Sequence, residues 1–151
     1  MDVVRLLKHA NELFKKGQVA EASRTYRKIL KARPSHGDAN LALADLALQQ
    51  NELPTANRHL KRAEKELAQS GRYWLARGDY ELRASNADAA KTCYERARDF
   101  GASQIDVGLR LGHLYQTAQD YQRAVDSFQA VLTLSPGHPM AEIGMGDILS
   151  L

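Results

Sequence analysis

The side chains that could carry metal or nucleophilic chemistry in this 151-residue chain are five histidines, one cysteine and 18 acidic residues. His9, His36, His59, His113 and His138 never fall four apart, and none stands near Cys93. The ligand spacing of a helical zinc site is therefore missing. Cys93 has no neighbouring histidine to take its proton, as a thiol nucleophile needs. A single cysteine also excludes an internal disulfide, so Cys93 reads as a small helix-packing residue. There is no phosphate-binding Gly-rich loop, no dinucleotide fingerprint and no strand pattern to precede one. Gly108 and Gly112 form Gly-x-x-x-Gly, but Arg110 and His113 sit among them and argue against pairing of membrane helices. The expectation is a chain with no catalytic residue, no cofactor and no metal site: not an enzyme, and without a small-molecule substrate.

The elements that position these residues are helices. Ala, Leu, Arg, Lys, Glu and Gln dominate, and all are good helix formers. Between Ile105 and His138, apolar or small residues recur every three or four positions: Leu111, Gly112, Tyr115, Ala124, Phe128 and Val131. A polar break at 117–120 divides them, and Pro136 closes the unit. That reads as helix, tight turn, helix, stop. The pattern repeats at 34-residue steps. Ala124 steps back to Ala90, Ala56 and Ala22; Phe128 to Tyr94, Leu60 and Tyr26; Gly112 to Gly78, Ala44 and Ala10.

A 34-residue helical period resembles the tetratricopeptide repeat from end to end. The resemblance implies an all-α fold, a right-handed α-solenoid of antiparallel helix-turn-helix repeats. The expected domain is one array over 1–151, with repeats 3–36, 37–70, 71–104 and 105–138. The first helix of a truncated fifth repeat follows at 139–151. Gly17 should end the first helix in a left-handed cap. Pro54 and Pro139 should open helices, where a missing N–H costs nothing. Small residues at 10, 44, 78 and 112 should face the alanines at 22, 56, 90 and 124, so that paired helices approach closely. His9 and Arg77 interrupt an otherwise apolar column, and Arg77 stands four residues before Glu81, as an ion pair on one helix face.

In this family the first helix of each repeat lines the concave wall. The resemblance therefore makes two columns candidate groove residues. One is aliphatic: Leu7, Leu41, Leu75, Leu109 and Ile143. The other is mostly acidic: Asn11, Asp45, Asp79, His113 and Asp147. Residues four apart share a helix face, so the two rows run side by side. Together they suit a protein segment with apolar anchors and Lys or Arg. Helix-on-helix packing explains the aliphatic row equally well. The clamp of Asn, Lys and Arg by which some members grip a terminal carboxylate is incomplete, with Ala42 and Ala76 in two of its places.

Net charge is +3 but uneven. Repeat one holds nine basic residues against Glu12 and Glu21, while the stretch from 105 onward is net acidic. The basic end lacks interleaved aromatics, so nucleic acid is an unfavoured partner. No apolar run approaches the ~18 residues of a membrane span. The leading expectation is a non-catalytic scaffold binding a protein or peptide partner. It would belong to a longer bacterial multi-repeat protein for assembly, secretion or export. One alternative is the substrate-docking or regulatory arm of a larger enzyme such as a glycosyltransferase. The other is an RNA- or anionic-surface-binding repeat. The compartment stays open between a soluble periplasmic and a cytoplasmic protein. The half-repeat at the C-terminus suggests end-to-end self-association through an uncovered apolar face.

Overall fold

A computed structural model describes residues 2–151. Among them are nine helices and no strand: α1 (Val3–Lys15), α2 (Val19–Ala32), α3 (Gly37–Gln49), α4 (Leu53–Leu67), α5 (Gly71–Arg83), α6 (Ala87–Asp99), α7 (Gln104–Thr117), α8 (Tyr121–Leu134) and α9 (Pro139–Leu149). The chain divides into two compact units, Met1–Gln69 and Ser70–Leu151.

The 34-residue period is written into the backbone as well as the side chains. Gly17, Asn51, Ser85 and Gln119 each follow a first helix, and each has positive φ, between 57° and 80°. Only one of the four is glycine, so Asn51, Ser85 and Gln119 hold the left-handed conformation at some cost. The next residue's N–H closes each turn by donating five residues back: Gln18 to Leu13, Glu52 to Ala47, Asn86 to Glu81 and Asp120 to Tyr115. This is the helix-ending motif in which the left-handed residue redirects the chain and satisfies orphan carbonyls. Pro54 and Pro139 stand in the first turns of α4 and α9.

In the first unit the core is Ala10, Leu13, Ala22, Tyr26, Ile29, Ala39, Leu43 and Leu46. The loop between α2 and α3 is tied to α4 by two polar links. Glu66 accepts from the Gly37 N–H at 2.7 Å and from Arg33 Nη2 at 2.9 Å. Asn40 donates its amide hydrogens to the carbonyls of Pro34 and His36. Its Oδ1 is therefore an acceptor, and His59 Nδ1–H must donate to it, at 2.9 Å. Burial, with the positive charges of Arg58, Arg62 and Arg27, lowers the His59 pKa to about 4 and keeps the ring neutral.

In the second unit Leu75, Ala90, Tyr94, Ala97, Val107, Leu111 and Leu114 form one cluster. Ala124, Phe128, Val131, Ala141 and Ile148 form the next. Ala22, Ala56, Ala90 and Ala124 are all fully buried. In the α5–α6 and α7–α8 hairpins the glycine of the first helix meets more than alanine. A Cβ on Gly112 would lie 2.6 Å from Phe128 Cε1, and one on Gly78 would overlap the Tyr94 ring. The glycines thus make room for the aromatic column. His9 is exposed, and Arg77 and Glu81 pair at 3.4 Å. Cys93 is buried, and that burial pushes its thiol pKa up.

Candidate functional site

In the second unit three first helices, α5, α7 and α9, border two adjoining pockets that together make up one recess. Its α5–α7 half, about 420 Å³, is lined by Asp79, Leu82, Arg83, Tyr94, Leu109, Arg110, His113 and Met140. Its α7–α9 half, about 270 Å³, is lined by Leu109, His113, Gln116, Phe128, Met140, Ile143, Gly144 and Asp147. Leu109, His113 and Met140 belong to both halves. Five of the ten candidate groove residues therefore meet here: Asp79, Leu109, His113, Ile143 and Asp147. Gly144 opens the floor, because its missing Cβ leaves the Phe128 ring room against α9.

The aliphatic row does not behave as one surface. Leu41 and Leu75 are 1% and 8% exposed, so packing absorbs them; Leu75 sits in the cluster with Val107 and Leu111. Leu7 and Leu109 are half-buried. Ile143 is 58% exposed, beside Met140 at 62%.

The polar row is also changed by its neighbours. Asp79 Oδ1 accepts from the Tyr94 hydroxyl at 2.6 Å. Arg110 grips the same carboxylate with Nε at 3.0 and 3.3 Å and Nη2 at 3.2 Å. Burial, then the Asp79 charge and hydrogen bond, raises the Tyr94 pKa, so its hydroxyl stays a donor. Burial alone would lower the Arg110 pKa, but its bonds to Asp79 outweigh that and raise it. The Asp79 charge is thus compensated inside the protein, which removes it from the expected acidic wall. In the same column Asn11 accepts from the Tyr26 hydroxyl at 2.6 Å. Asp45 is half-buried and engaged in contacts of its own. His113 and Asp147 are exposed.

Arg83, Arg110 and Met140 are wall residues that lie outside the two candidate columns. The engagement of Asp79 does leave a trace in the sequence. The acceptors Asn11 and Asp79 each stand fifteen residues before a tyrosine, whereas Asp45 and His113 stand before Leu60 and Phe128, which carry no hydroxyl. Among the described residues no group of three His, Cys, Asp or Glu side chains could hold a metal. No described helix is long and apolar enough to cross a membrane.

Family models described as tetratricopeptide repeat match residues 7–75 and 109–138. The chain belongs to the tetratricopeptide repeat family. Its fold is similar to that of Pseudomonas aeruginosa pilF, with a TM-score of 0.84, 20% identity, and 98% of this chain and 68% of that chain covered. It is similar to a thermophilic tetratricopeptide repeat protein of Thermus thermophilus, TTC0263, at 0.82 and 18% identity, covering 100% and 83%. YrrB, a tetratricopeptide repeat protein with an unusual peptide-binding site, matches at 0.72 and 18% identity, covering 99% and 77%. At these identities the likeness shows the fold. No curated protein matches the sequence significantly. Family membership makes the chain a protein-interaction scaffold, an all-α helical-repeat protein.

Proposed function

We propose that this scaffold holds a segment of a partner protein in the α5–α7–α9 recess of its second unit, with no catalytic step. The observation that carries the reading is the mouth of that recess. Met140 and Ile143 stand exposed beside half-buried Leu109, with polar groups on both sides. A concave apolar strip with a polar margin is what a bound peptide needs for anchors and register. The likeness to YrrB, whose peptide-binding site is part of its description, supports the same reading. Leu7, Asn11, Leu41 and Asp45 occupy the matching columns of the first unit, where Leu41 is a packing residue. The host process, assembly, secretion or export in a bacterium, belongs to this proposal too, as does the alternative of a docking arm for an enzyme.

The test is selection of a displayed random peptide library on the whole chain, followed by binding to Ile143→Asp and Met140→Asp. Both side chains are exposed, so the fold tolerates the changes. Loss of binding in both variants, with unchanged helical circular dichroism, supports the recess. Retained binding, together with loss when Lys28, Lys31 and Arg33 are neutralised, moves the working surface to the basic face of the first repeat.

A second reading concerns self-association. Gly146 of α9 falls in the column of Gly112, yet a Cβ there would meet nothing within 4 Å. Leu149 on the same helix is 74% exposed. Association of two copies through α9 is read by sedimentation: a dimer that Leu149→Lys dissolves supports it, and a monomer at high concentration refutes it.

A further inference from the structure

The uncompensated charges of the recess border different halves of it and have opposite sign. On the α5 side Arg83 is exposed and makes no ion pair with the described residues. The acid beside it, Asp79, is already saturated by Arg110 and Tyr94. Arg110 is equally engaged, because its remaining nitrogen donates to the Asp106 carbonyl at 3.4 Å. On the α9 side Asp147 is exposed, and its carboxylate makes no ion pair with the described residues. Leu109 and Met140 line both halves, and Ile143 stands one turn before Asp147 on α9.

We infer that the recess takes an extended protein segment of fixed charge order: an acidic side chain against Arg83, an aliphatic anchor on Leu109, Met140 and Ile143, and a basic side chain against Asp147. This rests on the recess being the binding site. It replaces a uniformly cationic ligand, which the acidic column alone suggested, by a segment carrying both signs. Charge complementarity of this kind fixes register and rejects segments in the wrong order.

The experiment extends the peptide selection to charge-reversed proteins. On the wild-type chain, enriched peptides should carry an acid and a base with an aliphatic residue between them. On Arg83→Glu the acid should be replaced by Lys or Arg, and on Asp147→Lys the base should be replaced by Asp or Glu. A synthetic wild-type-selected peptide, followed by fluorescence anisotropy, should bind each variant at least tenfold more weakly. Circular dichroism melting checks that both variants stay folded. Enriched peptides with aliphatic anchors but no charge order, still lost on Ile143→Asp, would overturn the charge order and leave the recess standing. Peptides indifferent to Ile143→Asp, or no enrichment at all, would overturn both.

Discussion

His59 makes folding stability sensitive to pH in a way that can be worked out in advance. Its ring donates from Nδ1 to Asn40, and its burial, with the charges of Arg58, Arg62 and Arg27, lowers its pKa from 6.5 to about 4. The unfolded chain takes up a proton at this site near pH 6.5, whereas the folded chain resists until about pH 4. Stability is therefore fully present above pH 6.5 and drains away as pH falls towards 4. At about 1.4 kcal/mol per pH unit, the whole window is worth about 3 kcal/mol. About 2 kcal/mol of this should be lost between pH 7 and pH 5, a large fraction of a small protein's stability. Urea unfolding at the two pH values measures it. His59→Asn keeps a donor where Nδ1 stood but cannot titrate, so the difference between the wild-type and variant pH slopes isolates the ring. Equal slopes in the two proteins would refute the buried neutral histidine and, with it, the polar tie between α3 and α4.

Glycines 112 and 146 share a column but not an environment. Gly112→Ala should lower the melting temperature, because its Cβ meets Phe128 at 2.6 Å and Gly144 holds the ring from the other side. Gly146→Ala should be neutral or stabilising by up to ~1 kcal/mol, since the space is open and alanine favours helix. Ala56→Leu and Ala90→Leu force bulk into fully buried positions and should each cost about 1–3 kcal/mol in a urea melt. Tyr94→Phe removes the 2.6 Å donor to half-buried Asp79 and should cost about 1–2 kcal/mol by the same assay; no change would mean that Arg110 alone satisfies the carboxylate.

The fold was legible because one spacing recurs in several independent columns. Gly17, Pro54 and Pro139 announce their turns by type, and the alanine column 22, 56, 90, 124 announces the close helix pairs. The turns at Asn51, Ser85 and Gln119 were harder to read, since nothing but register with Gly17 says that these residues take positive φ. The wall was only half legible. A column gives the face on which a residue stands, but not what a neighbouring repeat brings to it. Leu41 and Leu75 share a column with Ile143, yet burial separates them. Asp79 looked like a free carboxylate until Arg110, 31 residues away in sequence, closed on it. Met140 becomes a wall residue only through the way α9 lies against α7 and α8.

The proposed binding of a protein segment against α7 and α9 is tested most directly by amide and methyl NMR spectra of the whole chain, titrated with a peptide selected on it. The shifts should concentrate on Leu109, His113, Met140, Ile143 and Asp147, with the nine basic residues of the first repeat unmoved. Shifts confined to Arg24, Lys28 and Lys31, or scattered over both units without saturation, would contradict it.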